Sequence, residues 1–305
     1  MILTIYTPCY NKGTTIQRTF DSLLQQSCHD FEWIVVNDGS TDNSKVLIDS
    51  FITDLFPINK IHKENEGLSS AMNIAVENAT GQFVLRLDSD DFLKPDAVET
   101  ILHYIKNDKA VNDPRVGALV FLTCYEDDTL VGTHPFANVT RCNFWDYRQK
   151  YKAVGDRAEV FKTDYFRKFP MPQFPNEKFC MESYVWNHFS DHYDAIYYPQ
   201  KIYVREYLLN SITMLGAKMN INNPKGTQLC LKDYLIRRLN FVFYFICAVR
   251  YWRFCPHTHY PLKKLITDIP ITATLVGWPL GTILYFLDKF DDKLVAKAKH
   301  FLKIV

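Results

Sequence analysis

The chain has 305 residues, 47% of them hydrophobic and 15% aromatic, with 11 Gly and 14 Pro. That composition excludes a disordered chain and fits one main domain with an appendage. The formal net charge of +1 hides an asymmetry: residues 1–224 hold 22 Lys/Arg against 29 Asp/Glu, whereas residues 225–264 hold eight Lys/Arg against Asp233 alone.

Residues 2–7 form a short apolar run that reads as a buried strand. It begins almost at Met1, which leaves no space for a signal peptide, so the active domain is expected to remain unexported. Ile16, Phe20, Leu23 and Leu24 follow at helical spacing. Residues 31–36 read as a second strand, and Val46, Leu47, Phe51 and Ile52 mark a second helix. The alternation continues with a strand near Ile61, a helix with Leu68, Ala71, Met72, Ala75 and Val76 on its apolar face, a strand at 83–87 and a helix through Val98, Ile101, Leu102 and Ile105. Strands alternating with helices of this length imply parallel pairing in a doubly wound α/β sheet. Beyond residue 114 the alternation loosens. Strands are expected at 117–122, 159–161, 194–198 and 202–205, with a helix near 182–189, and this half should complete the sheet and hold an acceptor.

In such sheets ligands bind beyond the carboxyl ends of the strands. Three polar clusters each follow a strand: Thr7-Pro8-Cys9-Tyr10-Asn11, Asn37-Asp38-Gly39-Ser40-Thr41-Asp42 and Asp88-Ser89-Asp90-Asp91. The third places three carboxylates in four residues, an arrangement that makes most sense if a hard cation such as Mg²⁺ or Mn²⁺ gathers them. An acidic turn leading to a helix capped by Asp96 is the alternative. A mononucleotide fits the edge where the clusters converge, with Tyr10 near the base, Asp38 accepting from base or ribose, and the metal on the diphosphate.

Rival chemistries lack their signatures. His188, His192, His257 and His259 form no HExxH, no GxGxxG follows the first strand, and no GxxxxGK[ST] occurs. The eight cysteines include no CxxC pair and show no zinc-like spacing, and several lie in apolar runs where a reduced thiol acts as a small hydrophobe.

Four segments together resemble the family-2 glycosyltransferases of GT-A fold, of the bacterial polysaccharide and lipid-linked oligosaccharide type. They are Thr7-Pro8-Cys9-Tyr10-Asn11-Lys12, Asn37-Asp38-Gly39-Ser40-Thr41-Asp42-Asn43-Ser44, Asn65-Glu66-Gly67-Leu68-Ser69-Ser70-Ala71-Met72-Asn73 and Leu87-Asp88-Ser89-Asp90-Asp91. The resemblance implies a Rossmann-like mixed sheet flanked by helices. It implies that Thr7, Pro8, Tyr10, Asp38 and Asp88 bind the nucleotide, and that Asp88 and Asp90 form a DxD element for Mg²⁺ or Mn²⁺, with Asp90 the more direct ligand. Asp91 either assists or caps. Glu182, four residues before Trp186, aligns with the family's catalytic carboxylate and is expected to be the general base, with Glu177 as the fallback; a helix N-terminal acid is the structural alternative. Many relatives carry Arg where Met72 stands, so Arg86 or Lys63 is left to brace the metal loop. Gly155-Asp156-Arg157 and Arg205-Glu206-Tyr207 look like subgroup signatures, in which Asp156 contacts the donor sugar and Arg205 the diphosphate.

The implied reaction is inverting transfer of a sugar from a nucleoside diphosphate, most simply UDP, to a sugar hydroxyl of a lipid-linked or polysaccharide acceptor. The alternative is a non-catalytic, membrane-bound scaffold that keeps the fold. Residues 1–228 would be the catalytic domain and 229–305 a helical, basic and aromatic membrane-associating region. Residues 239 and 241–246 are too continuously apolar for a nucleic-acid groove. Residues 269–287 hold 19 residues without a charge, near the length of a span, but Pro270 and Pro279 interrupt them. Lys263, Lys264, Lys289 and Lys293 flank both sides, so a monotopic or peripheral location on the cytoplasmic face of the plasma membrane is expected, with a single span as the alternative.

Overall fold

The computed structural model describes residues 1–206, 216–237 and 239–288. The chain divides into two compact units, Met1–Met171 with Val185–Leu208, and Pro172–Tyr184 with Leu209–Val305. The division expected at 228/229 falls inside a helix, Pro224–Ile236.

The first unit alternates as the sequence predicts through β1 (Leu3–Cys9), α1 (Ile16–Leu24), β2 (Phe31–Asp38), α2 (Ser44–Ser50), β3 (Ile58–Lys63), α3 (Leu68–Asn78), β4 (Phe83–Arg86), β5 (Phe92–Leu93) and α4 (Ala97–Asn107). It continues through β6 (Val116–Cys124), β7 (Thr140–Cys142), α5 (Phe144–Gln149), β8 (Arg157–Lys162), α6 (Thr163–Phe166), α7 (Ser183–Ser190), which starts at the junction of the units, and β9 (Asp194–Val204). The strand order is β3-β2-β1-β4-β8-β6-β9-β5, with β7 on β9. β1 pairs in parallel with β2 and β4, and β2 with β3, as the alternation requires. β8 enters antiparallel between β4 and β6 and makes the sheet mixed, as the family resemblance implies. The two strands expected at 194–198 and 202–205 are one strand, β9, whose pairing with β6 absorbs register shifts.

β1, β2 and β6 are buried along their whole length, as strands covered on both faces must be. The core packs Leu3, Ile5, Trp33, Val35 and Leu85 of the strands against Ile16, Phe20 and Leu23 of α1 and Val98, Ile101 and Leu102 of α4. The α2 face differs from the expected one: Ile48 is buried, whereas Val46 and Ile52 face solvent.

The second unit contains α8 (Ala217–Asn222), α9 (Pro224–Ile236), α10 (Phe241–Phe254), α11 (Leu262–Thr267) and α12 (Ile271–Leu287). Its core joins Leu231 and Leu235 of α9, Ala248, Tyr251 and Trp252 of α10, Leu265 of α11 and Ala273 of α12. Along α12 the buried residues include Ala273, Gly277 and Gly281, a four-residue repeat that brings its backbone onto α10. A Cβ on Gly277 would lie 2.3 Å from the Ala248 carbonyl, and one on Gly281 would lie 2.6 Å from the Val249 oxygen. Among the described residues no helix is long and apolar enough to cross a membrane. α12 has 17 residues with Pro279 inside, about 25 Å of helix against a hydrocarbon core of about 30 Å. Lys289 and Lys293, expected to flank it, lie outside the described residues.

Candidate active site

The parallel pairing of β1, β2 and β4 sends their carboxyl ends to one sheet edge, and side chains there tie the three polar clusters together. Asn11 takes a left-handed conformation, φ 51°, and its Oδ1 accepts from the Thr41 N–H at 2.8 Å while its own N–H donates to Ser40 Oγ at 3.0 Å. The Lys12 N–H donates to Ser44 Oγ at 2.8 Å. From α1, Thr15 Oγ1 donates to the Ser89 carbonyl at 2.8 Å, Arg18 Nη2 to the Asp90 carbonyl at 2.8 Å and Thr19 Oγ1 to the Asp91 carbonyl at 2.9 Å. The acidic loop is thus held by the helix that follows the first cluster.

The three carboxylates of that loop have different surroundings. Asp90 Oδ2 lies 2.5 Å from Lys12 Nζ. Asp88 Oδ1 lies 3.1 Å from Arg86 Nε, and Arg86 Nη1 also donates weakly to Met72 Sδ at 3.7 Å. Of the two residues expected to compensate for Met72, Arg86 therefore reaches the acidic loop, whereas Lys63 serves Asp38. Asp91 is buried: its Oδ2 accepts from the Tyr203 hydroxyl at 2.8 Å and its Oδ1 from the Glu206 N–H at 3.0 Å. Burial, the charge of Asp88 and more weakly that of Asp90 push Asp91 up to about 7, against the lowering effect of the Glu206 N–H. The Tyr203 hydroxyl also accepts from the Asp88 N–H at 3.0 Å. One phenol on β9 thus couples Asp88 to Asp91, a bracing role no local sequence pattern announced.

The residues expected at the base and ribose divide into supports and open groups. Tyr10 is 46% exposed and presents its ring to solvent at the edge. Pro8 is buried in β1. Thr7 is fully buried, and its hydroxyl accepts from Trp33 Nε1 at 2.9 Å, joining β1 to β2. Asp38 is almost wholly buried and holds the loop after β3: Oδ1 accepts from Lys63 Nζ at 2.8 Å and the Glu66 N–H at 3.0 Å, and Oδ2 from the Gly67 N–H at 2.8 Å. Four lone-pair sites less three donors leave Asp38 one acceptor site on Oδ2. Gly39, at φ 67°, lets this loop approach; a Cβ there would lie 2.6 Å from the Asn65 nitrogen.

Asp156 and Arg205 form an ion pair. Burial alone would lower the Arg205 guanidinium, but the carboxylates of Asp156, Asp88 and Asp91 outweigh it and raise the group, so Arg205 stays charged beside the acidic loop. Arg157, nearly buried, donates to the Tyr147 hydroxyl and to the carbonyls of Val131, Thr133, Val154 and Asp156, locking the loop that presents Asp156. Tyr207, the third residue of that signature, lies outside the described residues.

Glu182 belongs to the second unit, in the segment just before α7. That segment is clamped to the start of α9: both Glu177 oxygens accept backbone N–H groups, from Lys225 at 2.8 Å and Gly226 at 2.9 Å, and Asn223 Oδ1 accepts from Lys178 and Phe179. Glu177 is thereby a helix cap.

Among the described residues no three or more His, Cys, Asp or Glu side chains gather as a metal site. Mg²⁺ and Mn²⁺ do not require such a cage, because one or two carboxylates with phosphate oxygens and water satisfy an octahedral ion. Asp88 and Asp90, hard oxygen donors that are partly exposed and already facing cations, fit that mode.

A mixed sheet flanked by helices, with its parallel strands ending in one polar edge, has the architecture of the GT-A class of sugar-transferring proteins. Residues 4–153, just under half of the chain, match the model of glycosyl transferase family 2, to which the chain is similar over that stretch. Over 110 residues it is 42% identical to chondroitin synthase of Pasteurella multocida, a stretch covering 36% of this chain and 11% of that synthase. Among solved structures, S. aureus TarS residues 1–349 with UDP-GlcNAc superposes with a TM-score of 0.65 at 16% identity, over 90% of this chain and 84% of that one. The mannosyltransferase PcManGT of Pyrobaculum calidifontis, in complex with GDP-Man and Mn²⁺, superposes with a TM-score of 0.51 at 17% identity, over 99% and 79%. At such identities the structural likeness concerns the fold.

Proposed function

We propose that the protein is an inverting, metal-dependent glycosyltransferase that moves a sugar from a UDP-linked donor to a sugar hydroxyl of a lipid-linked or polysaccharide acceptor at a membrane surface. The observation that carries this reading is the meeting of three strand-end clusters around Asp88 and Asp90, beside the charged Arg205 and the exposed ring of Tyr10. Complexes named for UDP-GlcNAc and for GDP-Man with Mn²⁺ among the structural neighbours support a sugar-nucleotide donor and a divalent ion.

In this reading Tyr10 stacks on the base and the remaining acceptor site of Asp38 meets a base or ribose donor. Asp88 and Asp90 hold Mg²⁺ or Mn²⁺, which when bound offsets the charge that develops on the departing diphosphate. Arg205 adds a fixed positive charge for the same diphosphate, and Asp156, its ion-pair partner, turns to a donor-sugar hydroxyl. Glu182 removes the acceptor proton as the hydroxyl attacks the anomeric carbon. Attack on the face opposite the leaving diphosphate inverts that carbon, and no second carboxylate nucleophile takes part.

Membrane contact is supported by the surface of the second unit. Ile271, Leu275, Trp278 and Phe286 on α12, with Phe241 and Val242 on α10, are each more than half exposed. Exposed large apolar side chains in this number, on a segment with an excess of Lys and Arg, suit an interfacial helix pair on anionic lipid.

The test is metal-dependent release of UDP from a panel of UDP-sugars in the presence of saccharide acceptors. The reading expects release that needs Mg²⁺ or Mn²⁺ and falls at least about 100-fold in Asp90→Ala and Glu182→Gln. Turnover of no nucleotide sugar would favour the scaffold instead.

A further inference from the structure

Lys12 is the residue of the acidic edge for which neither the nucleotide contacts nor the chemistry above has a use. Its Nζ lies 2.5 Å from Asp90 Oδ2, with side chains 25% and 17% exposed. The backbone beneath it is fixed on both sides: its N–H donates to Ser44 Oγ at 2.8 Å, and its carbonyl accepts from the N–H groups of Thr15 at 3.0 Å and Ile16 at 2.9 Å. The ammonium therefore moves only on its own four-carbon stem, as a compact point charge with three donors. Arg86 differs, because its planar head is engaged by both Asp88 and Met72.

We propose that Lys12 is a resident counter-ion of Asp90 that makes the divalent cation and the nucleoside diphosphate bind together. A free cation must displace the ammonium from Asp90 and then endure its repulsion at close range. A cation arriving with a diphosphate brings an anionic partner to which the ammonium transfers, so its charge is never left uncompensated. By linkage, the diphosphate then raises the affinity for the cation by the same factor as the cation raises that for the diphosphate. This inference rests on the metal-and-donor reading above.

The test titrates MnCl₂ into the full chain, with and without saturating UDP, for wild type, Lys12→Gln and Lys12→Arg, followed by the Mn²⁺ paramagnetic resonance signal. Lys12→Gln should bind Mn²⁺ alone about five-fold more tightly, the scale of a partly exposed ion pair. The gain in Mn²⁺ affinity conferred by UDP should shrink about ten-fold, since the new ammonium–phosphate contact is lost as well. Lys12→Arg should behave like wild type in Mn²⁺ alone, and unchanged melting curves will show that the fold is intact. The proposal is overturned if Lys12→Gln takes up Mn²⁺ alone no more tightly than wild type while UDP still promotes uptake in both. Absence of Mn²⁺ uptake by wild type even with UDP would instead remove the metal reading on which it rests.

Discussion

The first unit gathers buried, hydrogen-bonded polar groups around its sheet edge, and the second carries a row of exposed apolar side chains along two helices. Thr7, Asp38, Asp91 and Arg157 lie inside the sheet unit, and every one of them is hydrogen-bonded. The helical unit buries Ala273, Gly277 and Gly281 while Leu275 and Trp278 of the same helix face outward. A buried, satisfied polar network fixes the geometry of a charged site, whereas an apolar outer face over a close-packed helix pair gains most from a surface that removes it from water. The contrast separates a part that holds charge in place from a part suited to an interface.

The sharpest way to break this comparison is to strike one part and watch the other. Glu182→Gln should lower kcat about 10²- to 10⁴-fold with little change in the donor KM, because a general base acts only as the acceptor proton leaves; steady-state UDP release checks this. Gly277→Leu should destabilise the second unit by about 1–3 kcal/mol or more in urea unfolding, since its first added carbon already collides with the Ala248 backbone, while leaving UDP affinity within about two-fold. Tyr203→Phe removes one hydroxyl that serves both Asp91 and the Asp88 N–H, and should cost about 1–3 kcal/mol of stability and weaken Mn²⁺-dependent UDP binding. Leu275→Glu with Trp278→Glu should reduce co-sedimentation with anionic vesicles about ten-fold without shifting the melting temperature, because both side chains are already in water.

The smallest effect is a pH dependence in the first unit. Burial, then the charge of Arg157, lowers His134 from its ordinary value. A depressed native value means that the unfolded chain takes the proton more readily, so this contribution is complete above about pH 6.5 and is lost as pH falls through the native value. Between pH 7.5 and 5.5 the melting temperature should fall about 1–2 °C further in wild type than in His134→Gln.

What the sequence disclosed follows from the range of each signal. Period and turn chemistry are local, and so the β/α alternation through residue 107 and the three strand-end clusters are legible in the sequence alone. The antiparallel entry of β8 is not, since its six residues carry the same apolar pattern in either direction. Tyr203 escaped notice because its partners stand 112 and 115 positions earlier, a separation at which only the sheet brings them together. Asp38 was singled out as a ligand contact and is also the anchor of the loop at 64–67, and Glu177, the fallback base, caps α9. In both cases a carboxylate looks the same in sequence whether backbone N–H groups or a ligand complete it. The Asp88-Ser89-Asp90-Asp91 run was visible at once, but its division into two edge carboxylates and one buried brace depended on β9.

The most direct test of the central claim is calorimetric titration of UDP into wild type and Asp90→Ala, each with MnCl₂ and with EDTA. The account predicts uptake by wild type that needs Mn²⁺ and is at least about ten-fold weaker in Asp90→Ala at an unchanged melting temperature. Equal UDP affinity with Mn²⁺ and with EDTA, or an Asp90→Ala protein that binds as wild type does, would contradict it.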